Sequence, residues 1–116
     1  MDSPRLSQKV REVFEQCENG EHTIFVPSIV IAEALSIFDN KRVSFDFKKT
    51  LQYNIEESEN FVMIPLDYPI LLKMVDLKDI PELHDKIIVS TALYLDLPVI
   101  TKDRTLIKLS PVNTIW

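Results

Sequence analysis

The chain has 116 residues, 46% of them hydrophobic and 27% charged, and a formal charge of −5, the make-up of one globular domain with a core of its own rather than a disordered chain. A negative balance removes the broad, sequence-independent grip on nucleic acid that a basic surface confers, but not an enzyme acting on nucleic acid through an acidic metal site, which is itself negative until its cation binds. Gly20 is the only glycine, so no GxxxxGK or GxGxxG phosphate cradle can form, and P-loop NTPases and glycine-fingerprint dinucleotide binders are excluded.

The elements follow in chain order. Leu6-Ser7 opens a helix through Cys17, with Val10, Val13, Phe14 and Cys17 at helical spacing and Ser7 as its cap. Asn19-Gly20 ends it. Thr23–Val26 is a short β-type run closed by Pro27, and Ser28 caps a helix to about Phe38. Asp39-Asn-Lys-Arg reads as a turn, Ser44 as the start of a helix through Tyr53, and Asn54–Asn60 as a polar loop. Phe61–Leu66 reads as a strand and Pro69–Leu77 as a helix with proline in its first turn. A helix over Leu83–Leu95, a strand over Leu97–Thr101, a short helix over Arg104–Leu109 and a strand over Val112–Ile115 complete the order. Alternating strands and helices, with Pro98–Ile100 apolar on both faces, predict an α/β fold: a doubly wound, mostly parallel sheet with helices on both faces. Such a fold calls for an apolar strand before Pro4, which Met1-Asp-Ser does not supply, so the first central strand is expected to be missing from this single domain.

Lone Cys17 excludes an internal disulfide and fits a reducing compartment. No apolar stretch approaches the ~18 residues of a membrane span, and MDSPRLSQKV lacks the apolar core of a signal peptide. A cytoplasmic protein with no membrane association is expected.

Three acids stand in unusual settings. Glu33 interrupts the apolar run Ile29-Val-Ile-Ala-Glu-Ala-Leu, where burying an unpaired carboxylate costs several kcal/mol or forces protonation. The bland explanation is a narrow polar stripe with Ser36 and Asn40. Asp85 lies near a helix start and Asp103 between a strand and a helix, so each has the bland role of helix cap. Ligands in open α/β sheets bind outside the carboxyl ends of the strands, which aims Asp103 at that crevice. Three oxygen donors with two isolated histidines and no Cys cluster match Mg²⁺ or Mn²⁺ rather than zinc. Such a site favours attack of water on a phosphodiester, and Lys86, Lys102 and Arg104 flank the acids as candidate phosphate contacts. His84 is read first as a cap and second as a group that orients substrate. Ser90 and Thr91 lack a positioned His base, which leaves a nucleophilic triad without support.

The segments PRLSQKVREVFE, PSIVIAEAL, PELHDKIIVSTALYLDLPVITKD and VNTIW resemble the PIN-domain nucleases, in particular the VapC-like toxin ribonucleases, over nearly the whole chain. The resemblance implies a parallel sheet of about five strands between helices and Mg²⁺- or Mn²⁺-dependent cleavage of RNA. It implies Glu33, Asp85 and Asp103 as catalytic, metal-site acids. Family members usually open with an apolar strand ending in a metal-binding Asp; here Asp2 falls in the loop that follows and takes no such role. Weak metal binding and weak or absent RNA cleavage by this chain are therefore expected. An antitoxin protein and a homodimer lending a strand to the open sheet are the implied protein partners. Two alternatives stand beside the nuclease: an inactive PIN-like domain that binds protein or RNA, and a receiver-type phosphoacceptor. The latter lacks an early acid pair and has Asp103 where proline should follow Lys102.

Overall fold

A computed structural model describes residues 7–40 and 45–116. Helix α1, Gln8–Glu18, begins where the Ser7 hydroxyl accepts the Val10 N–H at 3.1 Å, the expected cap. It ends in a Schellman turn: Gly20, at φ 80, donates to the Cys17 carbonyl, and Glu21 donates to that of Gln16. The Cys17 thiol donates to the Asn60 carbonyl at 3.1 Å. That carbonyl also accepts the Ile24 N–H at 2.8 Å, so the end of α1 is tied to the first rungs of the sheet.

Strand β1, Ile24–Pro27, runs directly into α2, Ser28–Asn40, with Ser28 already the first helical residue. Asp39 and Asn40, expected in a turn, belong to α2, while Lys41, Arg42, Ser44 and Asp2 lie outside the described residues. Helix α3, Phe45–Gln52, continues into a π-helical turn at Tyr53–Glu57 where a polar loop was expected. Half-buried Leu51 and Ile55 keep helical spacing there, and the Ser58 N–H closes the turn on the Tyr53 carbonyl at 3.0 Å.

Strand β2 is Phe61–Ile64, cut short by Pro65; α4 is Tyr68–Lys73, tightening to a 3₁₀ turn at Met74–Asp76. Helix α5, Leu83–Leu95, has the predicted bounds and ends at Asp96, in the left-handed region at φ 56. Strand β3 contracts to Val99–Ile100, α6 is Arg104–Leu109 as predicted, and β4 contracts to Thr114–Ile115.

The strands form two parallel pairs, β1 with β2 and β3 with β4. Parallel pairing with intervening helices makes the class α/β. One continuous doubly wound sheet would require a further strand joining β1 to β3. Between those strands lies a cavity of about 690 Å³, lined by Phe25 and Val26 of β1, Val99 and Ile100 of β3, and Thr91 and Ala92 of α5.

One buried cluster packs Leu77, Ile80, Val89 and Leu106 together, with Leu93, Leu109 and Val112 closing over them. Helix α5 is apolar on nearly every side because it is central: it touches α2, α4, β1 and β3, and Val89, Ser90, Thr91 and Ala92 are buried in succession. No helix of the described residues is long and apolar enough to cross a membrane.

Candidate active site

The start of α5 organises the site. Its N-cap is Glu82, whose Oε2 accepts the Asp85 N–H at 2.9 Å. Glu82 Oε1 accepts a hydrogen bond from His84 Nδ1 at 3.0 Å. The Asp85 backbone N–H, helped by His84, holds the Glu82 carboxyl below its ordinary value. The capping role expected of Asp85, and first assigned to His84, therefore belongs to Glu82. Glutamate is not among the usual N-cap residues, which is why sequence reasoning passed over it.

His84 also links two helices, its Nδ1 lying 3.9 Å from Oε2 of Glu33 on α2. Glu33 is about half exposed, so it is no buried, unpaired carboxylate, and its place beside the start of α5 is what brings it into the site.

Relieved of capping, the Asp85 carboxylate accepts no hydrogen bond among the described residues. Partial burial pushes its pKa up, and the negative charges of Glu82, Asp103 and Glu33 push in the same direction, against a smaller opposing effect of His84. Glu33 and Asp103 therefore lie within electrostatic reach of Asp85, on an acidic rim that Glu82 adjoins. The rim lies at the carboxyl ends of strands, since α2 follows β1 without a break and Asp103 follows β3 by three residues.

Asp103 does have the bland role. Its Oδ1 accepts the Leu106 N–H at 3.0 Å as the N-cap of α6, and its own N–H donates to Thr101 Oγ1 at 3.0 Å. Capping and rim charge are separable by mutation. Asp103→Ala is expected to lose about 1 kcal/mol of stability in a thermal or denaturant melt, whereas Asp103→Asn, which can still cap, is expected to melt close to the parent.

Lys86 neighbours Asp85 in the first turn of α5, and Lys102 and Arg104 bracket Asp103. None of the three forms an ion pair with Glu33, Asp85 or Asp103, which leaves their charge for other anions. Ser90 and Thr91 are not presented as nucleophiles: the Thr91 hydroxyl donates to the Ile87 carbonyl at 2.8 Å, and Ser90 is fully buried with no hydrogen-bond partner for its hydroxyl among the described residues.

Carboxylates are the donors a hard divalent cation takes. Among the described residues, no three His, Cys, Asp or Glu side chains converge closely enough to enclose a metal ion. A cation at these side chains would be held from one side by one or two carboxylates, as Mg²⁺ is when it keeps several waters and takes further oxygens from phosphate.

The family model described as PIN domain matches residues 2–110 of the chain. No curated protein matches it.

Proposed function

Because the chain belongs to the PIN-domain family, we propose that it is a metal-dependent endoribonuclease of the VapC-like type, hydrolysing RNA phosphodiesters with Mg²⁺ or Mn²⁺ at the rim of Glu33, Asp85 and Asp103. PIN domains are nuclease-type domains that typically bind divalent cations. The choice of RNA rests on the resemblance of the segments around Glu33, Asp85 and Asp103 to the VapC-like ribonucleases.

The observation that carries the reading is Asp85. It combines a carboxylate free of capping, partial burial and three further acids, Glu82, Asp103 and Glu33, close enough to disfavour its ionised form. Such an arrangement is relieved by a compensating positive charge. One or two of Glu33, Asp85 and Asp103 would hold the cation, which would supply water activation and neutralise the scissile phosphate when bound. Lys86, Lys102 and Arg104 would hold neighbouring phosphates and orient the strand. A rim that does not enclose an ion supports weak cation binding and low turnover in this chain.

That same openness, with one oxygen of Asp103 committed to α6, supports the second reading of a PIN-like domain that binds RNA or protein without cutting. Exposed Tyr68, Leu72 and Val75, each more than half accessible along α4 and the turn after it, support a protein partner in either case, whether an antitoxin or a second copy.

Incubation of the purified chain with end-labelled single-stranded RNA tests the proposal. Discrete cleavage products that require Mn²⁺ or Mg²⁺ and disappear with EDTA are expected. RNA retained intact with cation present would favour the binding domain, and neither binding nor cleavage would sink both readings.

A further inference from the structure

Glu82 fixes the proton of His84 as well as capping α5. Its Oε2 is used on the Asp85 N–H at 2.9 Å and its Oε1 on His84 Nδ1 at 3.0 Å. These contacts lower the Glu82 pKa, and an ionised carboxylate only accepts hydrogen bonds. Nδ1 therefore carries the ring proton. In the neutral ring, Nε2 is then a bare acceptor.

Nδ1 is also the atom that lies 3.9 Å from Glu33 Oε2. Both carboxylates thus face one side of the imidazole, and Nε2 lies across the ring from them. Among the described residues no hydrogen bond or ion pair engages Nε2, and the His84 side chain is 42% exposed. As a structural link the arrangement adds little, because Glu33, Glu82 and His84 are all about half exposed. What it does achieve is an imidazole held by one nitrogen and open at the other, next in sequence to Asp85.

An acceptor surrounded by the carboxylates of Glu33, Glu82 and Asp85 does not attract an anion, so Nε2 is matched to a neutral donor. A nucleic-acid strand offers two kinds of donor near its backbone: base N–H groups and, in RNA alone, the ribose 2′-hydroxyl. That hydroxyl stands on the carbon beside the one carrying the 3′ phosphate. A group adjoining Asp85 therefore meets it before it meets a base edge.

We propose that His84, aimed by Glu82, accepts a hydrogen bond through Nε2 from the ribose 2′-hydroxyl next to the phosphate at Asp85, and so makes this chain prefer RNA to DNA. The contact rests on the reading of the rim as an RNA site, but it requires binding only and no cleavage. It supplies a selectivity that contacts to phosphate lack, since RNA and DNA share the phosphate.

The test is fluorescence anisotropy at pH 8 in EDTA, with a labelled single-stranded 12-nucleotide RNA and the same sequence in 2′-deoxy form, deoxyuridine included. The full chain is expected to bind the RNA about 10-fold more tightly, the scale of one net hydrogen bond at a half-exposed group. His84→Ala should weaken RNA binding by about 10-fold and leave DNA binding unchanged. His84→Gln, whose amide oxygen reaches the place of Nε2, should keep most of the preference. Both variants should melt within a few degrees of the parent, as exposed substitutions do. In ¹⁵N NMR spectra His84 should show the Nδ1–H tautomer, with Nε2 shifted by the RNA and not by the DNA. Equal affinity of the parent for the two strands, equal weakening of both by His84→Ala, or a protonated Nε2 facing a bare Nδ1 would overturn the proposal. Binding of neither strand would remove the RNA site and this contact with it. A chain that prefers RNA through His84 without cutting it keeps the contact and loses the nuclease. One that cuts RNA with Mn²⁺ while His84→Ala leaves its strand preference untouched keeps the nuclease and loses the contact.

Discussion

Asp85→Asn is expected to lower cation-dependent RNA cleavage by ~100-fold or more, the scale on which a group acting in the transition state is missed, while raising the Tm at pH 7. The two effects have opposite signs because they have one cause. Burial first, and then Glu82, Asp103 and Glu33, lift the Asp85 pKa above its ordinary value of 3.8. A carboxyl whose folded-state pKa exceeds its unfolded value favours the fold most when protonated. Its contribution is fully present below the ordinary value and is lost as pH rises through the raised one. At pH 7 the parent therefore bears the cost of an ionised Asp85 that asparagine does not.

The gain in Tm should shrink as pH falls and vanish below about 3.8, where Asp85 carries a proton in both states. Melts of parent and variant between pH 3 and pH 8, beside cleavage rates at pH 7, supply the check. A variant that loses activity and stability together would mark Asp85 as a structural residue. One that gains stability and loses activity marks it as functional, in the usual trade-off between a strained site and a stable fold.

Ile80→Ala is expected to cost about 2–5 kcal/mol, the range for truncating a fully buried aliphatic side chain. Ile80 is 1% exposed and packs with Leu77, Val89 and Leu106. This cluster joins α5 to α6, and none of its four buried residues lines the cavity. Little can collapse to fill the vacancy, because the segment carrying Ile80 is pinned by the Ile80 N–H on the Leu77 carbonyl. A denaturant melt with unchanged m-value and a lower midpoint would report the loss as one of stability. A shift of less than about 0.5 kcal/mol would show that this cluster does not hold the domain together.

Sequence reasoning was strongest where one physical signal dominated. Leu83–Leu95 and Arg104–Leu109 came out with their observed bounds, the second fixed by capping Asp103 before it and Pro111 after it. Ser7 was recognisable as a cap because its hydroxyl has the reach and the position.

The strands were less legible. Leu97–Thr101 and Val112–Ile115 have strand composition along their length, but β3 and β4 come into register at Val99 with Thr114 and at Ile100 with Ile115 alone. Two residues of each then meet the hydrogen-bond pattern.

At the site, the three acids could be picked out from the sequence as candidates, whereas their separate duties could not. Asp85 and Asp103 occupy equivalent-looking positions at helix starts, and only the three-dimensional arrangement shows that Glu82 relieves the first of capping while the second caps α6 with Oδ1. The contact of His84 with Glu33 spans 51 residues of sequence and leaves no local trace.

The most direct test of the shared acidic rim is a pH titration of the Asp85 carboxyl carbon by NMR, with and without Mg²⁺. The account predicts a midpoint above 3.8 in the absence of cation, lowered when Mg²⁺ is added, because a bound cation favours the ionised form. An ordinary midpoint that Mg²⁺ leaves unmoved would contradict it.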